Sequence, residues 1–147
     1  MVQRHLAKEL HQASNRLRRR IDRISLAHGL TGPQGMVLAF LSWHSQPVVQ
    51  RDVEQEFDVR RSTVSCLLTQ LEKDGFIRRE SVEGDARLRR LVVTQKGLEA
   101  HRAVNAEVVR CEQQVLGALT PEEQEMLCRY TRPVHYAKGA RVHSPLE

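Results

Sequence analysis

The chain has 147 residues, enough for one compact domain or two small interlocked ones. Hydrophobic residues make up 40% and aromatics only 4%, so any core is aliphatic, and 23 lysines and arginines against 18 acidic residues leave a net charge of +5. That balance favours a polyanionic partner, either nucleic acid or an anionic membrane surface. No apolar run approaches a membrane span and no charged-then-apolar start reads as a signal peptide, so a cytoplasmic protein is expected. Cys66, Cys111 and Cys128 are too few and too scattered for a disulfide framework.

The first segment reads as a long helix. Leu6, Leu10, Ala13, Leu17, Ile21 and Ile24 recur at spacings of three and four, and Arg16, Arg18, Arg19, Arg20 and Arg23 occupy the rest of the surface. Gly29 and Thr31-Gly32-Pro33 break it. A second helix carries Met36, Phe40 and Trp43 and ends before Pro47. Val49, Val53 and Phe57 fall every four residues, which predicts a short third helix followed by a turn at Asp58-Val59-Arg60. Ser62 is a candidate N-cap for a fourth helix, with Val64, Leu67, Leu68 and Leu71 on its buried side and a stop at Gly75. Its outer side presents Ser62, Ser65, Cys66, Thr69 and Lys73, with Glu72 at the edge as the sole carboxylate.

Beyond Gly75 the pattern becomes extended. Phe76–Glu80 and Leu91–Thr94 predict two strands, with Ser81–Arg90 between them and Gly84-Asp85 as the turn signal. Thr94 is expected to cap a long helix striped by Val104, Val108, Cys111 and Val115. Thr120-Pro121-Glu122-Glu123 combines an N-cap, an N1 proline and a capping-box glutamate. The helix it starts carries Leu127, Tyr130 and Val134 and is expected to reach about Lys138.

Helix, short helix, turn, helix and hairpin, in that order, suit DNA. The second helix of such a pair fits the major groove, and a small, polar, carboxylate-poor face lets its backbone approach bases and phosphates. Arg60 and Arg61 stand at its start, where the helix dipole also favours phosphate. An arginine at the hairpin tip can enter a narrow minor groove. Asp85-Ala86-Arg87 supplies such an arginine with an aspartate two residues away to orient its guanidinium.

Ser62-Thr63-Val64, the run Leu71-Glu72-Lys73-Asp74-Gly75-Phe76-Ile77, Asp85-x-Arg87 and Val93-Thr94-Gln95-Lys96-Gly97 together resemble the multiple-antibiotic-resistance regulator (MarR) family, over nearly the whole chain. The resemblance implies a mainly α fold with a small β-hairpin wing: a winged helix-turn-helix over residues 31–97, with dimerisation helices in 1–30 and 98–147. It implies a homodimeric transcriptional regulator, by default a repressor, reading a pseudo-palindromic operator. Arg60, Arg61, Ser62, Thr63, Ser65, Cys66, Thr69, Asp85, Arg87 and Arg89 are the expected contacts to double-stranded DNA. Ala86 departs from the pattern, since many members carry an arginine there. A small aromatic ligand is a further implication, with Trp43, His44 and Arg20 (beside Arg16 and Arg23) as candidate lining, against Trp43 as a core residue.

Other classes fare worse. Cys66 on the DNA-facing side invites a redox reading, but the family's peroxide-sensing cysteine sits in the first helix, where this chain has none. Cys111 and Cys128 fit helical patterns as buried small residues. The seven histidines show no metal-ligand spacing, so no metal and no cofactor are expected. A nucleophile elbow, a phosphate loop and an inward carboxylate pair are all missing, which argues against an enzyme. The surviving alternative is an architectural, sequence-independent DNA-binding protein.

Overall fold

The structure, a computed structural model, describes residues 5–131. The chain divides into two compact units, Met1–Cys111 and Glu112–Glu147. In the first unit the order is α1 (Leu6–Ala27), α2 (Gly32–Trp43), β1 (Val48–Val49), α3 (Gln50–Phe57), α4 (Arg61–Lys73), β2 (Ile77–Val82), β3 (Asp85–Val93) and most of α5 (Gln95–Leu116). The second unit holds the end of α5 and α6 (Pro121–Thr131). The mainly α winged helix-turn-helix fold expected from the sequence is what forms.

Each helix boundary has a local cause. Gly29 at φ 76° lets the Leu30 N–H turn back to the Ser25 carbonyl (3.0 Å), which closes α1. Thr31 and Gln34 form a reciprocal capping box at the start of α2, with Pro33 in its first turn. Asp58 takes the left-handed conformation (φ 49°) that ends α3. Gly75 (φ 79°) does the same after α4, where the Phe76 N–H reaches the Leu71 carbonyl at 2.9 Å.

The core is aliphatic and lies between α2, α3, α4 and the sheet. Leu38, Val53, Leu68 and Leu71 are fully buried, with Leu30, Val64 and Ile77 close behind. On α4 the buried residues are Val64, Leu68 and Leu71, and Leu67 is half-buried, as their spacing predicts. On α2 the buried face is Val37, Leu38, Phe40 and Leu41. Met36 (52% exposed) and Trp43 (68% exposed) therefore lie off the core, and Trp43 is not the core residue its spacing suggested. The apolar face of α1 also stays open: Leu10 and Ala13 are exposed, and Leu17, Ile21 and Ile24 only half-buried.

The sheet has the order β1-β3-β2, antiparallel throughout. Strand β1 has no counterpart among the elements expected from the sequence. It is two residues long, pairs Val48 with Leu91 and Val49 with Arg90, and runs straight into α3. The hairpin zips further than its hydrophobic pattern indicated, to Val82 opposite Asp85, so the turn is Glu83-Gly84 rather than Gly84-Asp85. Gly84 supplies the required φ of 88°.

One contact joins the parts. Gly97, in the first turn of α5, lies against the turn between α4 and β2. A Cβ built there would stand 2.1 Å from the Phe76 carbonyl oxygen and 2.7 Å from Cγ1 of Val93. Thr94 caps α5 by accepting the Gly97 N–H (3.1 Å), while its hydroxyl donates to the Gly75 carbonyl (2.6 Å). The Lys96 ammonium donates to the Asp74 carbonyl (2.6 Å) and sits 4.6 Å above the Phe76 ring. The Thr-x-x-Gly pattern is thus a joint: the glycine permits the approach and the threonine bonds both sides of it.

In the second unit, Thr120 and Glu123 form the expected capping box with Pro121 at N1, and the Gln124 amide donates to the Leu116 and Leu119 carbonyls, both at 3.1 Å. Cys111 is buried as expected, whereas Cys128 is exposed. The stretch through Val134 to Lys138 lies outside the described residues. Replacing Gly97 with Ala should lower stability to urea by about 1–3 kcal/mol, because the obstructing atom is backbone. A variant as stable as the parent would mean the joint is loose.

Candidate nucleic-acid interface

The outer face of α4 is laid out as its sequence suggests. Ser62, Thr63, Cys66 and Thr69 are exposed and Ser65 is half-buried. Ser62 is not the N-cap. Arg60 holds that position, Arg61 begins the helix, and no side chain caps the first turn. The N-terminal N–H groups of α4 thus have no capping side chain, and two exposed guanidinium groups stand beside them.

The hairpin sorts its arginines. On one face the Glu80 carboxylate accepts from Arg78 Nε (2.7 Å) and from Arg90 Nε (2.8 Å), its partner across the ladder. These two arginines hold the Glu80 carboxyl below the ordinary range. On the other face Arg79 reaches back to α4. Its N–H and its guanidinium donate to the two oxygens of Glu72, at 3.0 and 2.6 Å. Three basic groups are therefore held by carboxylates of the protein itself. Glu72, a lone carboxylate at the edge of the helix face in the sequence, is the clamp that fixes β2 to α4.

Among the described residues no carboxylate pairs with the guanidinium of Arg60, Arg61, Arg87 or Arg89. Arg89 and Arg79 project from the same face of the hairpin, since Arg89 pairs with Ser81 and Arg79 with Leu91. Arg87 stands in the irregular stretch where the register shifts between Ser81 and Val82. There Asp85 Oδ1 accepts the Arg87 backbone N–H at 2.9 Å. The aspartate fixes the peptide that carries Arg87 and leaves the guanidinium unpaired, instead of gripping the guanidinium as its spacing suggested.

The candidate ligand residues do not assemble as a group. Trp43 meets the ring of His101 edge-on, with centroids 5.8 Å apart, a contact between α2 and α5 that no spacing in the sequence signals. His44 turns away: its Nδ1 lies 2.8 Å from the Phe40 carbonyl and its ring 4.1 Å from the Phe40 ring. Arg20 is exposed on α1 and makes no hydrogen bond or ion pair with either among the described residues.

The comparisons with known proteins bear on the fold. The MarR family model matches residues 28–88, from the end of α1 to the wing tip. Over that segment the chain is similar to the MarR family. The helix-turn-helix-type transcriptional regulator YwoH of Bacillus subtilis is 24% identical over 124 residues, which is 84% of this chain and 89% of YwoH. The transcription regulator MarR of Oenococcus oeni shares 28% identity at a TM-score of 0.72, covering 85% of this chain and 94% of that one. MepR of Staphylococcus aureus, solved in complex with DNA, has the same fold at a TM-score of 0.79 and 23% identity, covering 87% and 94%. The matched segment holds the α4 face and Arg87 but stops one residue short of Arg89, and it excludes the Thr94–Gly97 joint.

His101 yields a pH prediction. Burial first, then the charge of Arg102, lower its pKa, so the folded chain favours the neutral ring. A base with a depressed folded pKa contributes stability that is complete above the ordinary histidine value of about 6.5 and lost as pH falls through the folded value. Thermal stability should drop on acidification from pH 7, and His101→Leu should flatten that drop. An unchanged profile in the variant would assign the acid sensitivity elsewhere.

Proposed function

We propose that this chain is a MarR-family transcriptional regulator that binds duplex DNA sequence-specifically as a homodimer, with α4 in the major groove and the wing tip in the adjacent minor groove. The observation that carries the reading is the division of the arginines. Those at the wing base are neutralised by Glu72 and Glu80, while Arg60, Arg61, Arg87 and Arg89 stand unpaired at the two places that flank the carboxylate-poor face of α4. A cation already paired inside the protein has little left to offer a phosphate, and an unpaired one releases counterions when it binds. Ser62, Thr63, Ser65, Cys66 and Thr69 contact base edges and nearby phosphates; the open N–H groups of the α4 start take a phosphate.

The dimer follows from what one chain leaves uncovered. Leu10 on α1, Val109 and Val115 on α5 and Met126 on α6 are exposed apolar residues within the segments 1–30 and 98–147, the proposed dimerisation region. A two-fold axis through that region spaces the two recognition helices about 34 Å apart, one turn of DNA. A pseudo-palindromic operator and repression complete the reading. A small aromatic ligand stacking on exposed Trp43, beside half-buried His101, would release DNA by favouring a dimer with wrongly spaced helices.

The test is selection of bound genomic fragments, with competition by random duplex. A regulator retains a palindromic site under challenge, and loss of all binding would favour an architectural protein instead. On the selected site Arg87→Ala should weaken binding by about 1–3 kcal/mol. Adding Arg89→Ala should lower the slope of affinity against salt by about one to two phosphate contacts. Arg78→Ala should leave affinity and slope near the parent values. Equal losses from Arg78→Ala and Arg87→Ala would contradict the division of the arginines.

A further inference from the structure

Helix α1 carries a charged face that the DNA-binding reading does not use. Arg16, Arg19, Arg20 and Arg23 follow the spacing i, i+3, i+4, i+7, which places all four on one side of the helix. All four are exposed, and none pairs with a carboxylate among the described residues. Arg16 only reaches back to the Gln12 carbonyl. The stripe borders the apolar side of the same helix, where Leu10 is exposed and Leu17 and Ile21 are half-buried. An apolar seam edged by like charges is the arrangement that selects partners in paired helices.

The duplex that receives α4 is a poor match for this face. The C-terminal end of α1 meets the C-terminal end of α4 across an open cleft of about 630 Å³ lined by His28, Gly29, Asp74 and Phe76. The start of α4 lies at the other end of a 13-residue helix, about 20 Å away. Opposite charge is present on the chain itself. Over residues 112–147 five glutamates stand against Arg129, Arg132, Lys138 and Arg141, and three of the glutamates (Glu122, Glu123 and Glu125) gather at the start of α6. Glu123 is engaged in the α6 capping box. Glu122 and Glu125 share one side of α6, next to Met126, which is 57% exposed. Glu125 meets Arg129 only at 3.6 Å, with both side chains about three-quarters exposed, a contact that competes weakly with a second cation.

We infer that the arginine face of α1 receives the Glu122–Glu125 side of α6 from a second copy of this chain, and that this charge pairing decides which chains dimerise. The inference rests on the dimer proposed above and adds the specificity of that dimer. Exposed ion pairs add little raw affinity, but like charges set against each other penalise the wrong partner strongly.

Charge reversal tests it in the full-length chain by sedimentation equilibrium. Arg19→Glu with Arg23→Glu in one chain, and Glu122→Lys with Glu125→Lys in another, should each weaken self-association about 10-fold or more. Mixing the two should restore a heterodimer within a few-fold of the parent dimer. The parent dimer itself should loosen about 10-fold between roughly 0.05 and 0.5 M salt. Reversed chains that self-associate like the parent, a mixture that fails to recover, or a salt-independent parent dimer would each overturn the charge pairing and leave the dimer standing. A parent chain that is monomeric at micromolar concentration would overturn both.

Discussion

The structure depends on a close backbone approach: the first turn of α5 lies against the turn that ends α4 and begins β2. Gly97 makes the approach sterically possible, because any side chain would meet the Phe76 carbonyl. Thr94 and Lys96 then satisfy the carbonyls of Gly75 and Asp74, which the end of α4 would otherwise leave open. Three elements meet at this point. Helix α4, the wing and the long helix α5 therefore share one origin. The contact ties the first turn of α5 directly to the turn between α4 and β2.

A second clamp works outward from that joint. Glu72 holds the backbone and the side chain of Arg79, so β2 leaves α4 at a set angle. Further out, Glu80 gathers Arg78 and Arg90. Towards the tip, Asp85 fixes the backbone of Arg87 while leaving its guanidinium available. The wing thus grades from internally neutralised at its base to available at its end. A partner that must be gripped at a distance from the core, by a rigid arm, fits that gradient well.

Much of this was legible in the sequence. The helix starts and stops were readable where several local signals agreed, as Thr31, Pro33 and Gln34 agree on the start of α2. The outer polar face of α4 was readable because Val64, Leu68 and Leu71 mark its buried side and leave the polar residues opposite. What escaped depends on tertiary register. Strand β1 exists only because Val48 and Val49 meet Leu91 and Arg90, and two residues carry no period of their own. The pairing of Arg79 with Glu72 and of Arg90 with Glu80 requires the fold, so a count of arginines could not separate the held from the available. Trp43 has helical spacing that points to the core, yet the buried arc of α2 ends at Leu41 and leaves Trp43 on His101.

Hydroxyl-radical footprinting of the parent protein on a selected genomic duplex tests the central claim most directly. Two symmetric stretches of minor-groove protection are expected, one for each wing tip, flanking the two major-groove segments read by α4. Protection that is uniform along the duplex, or confined to the major-groove segments with the minor groove fully open to cleavage, would contradict it.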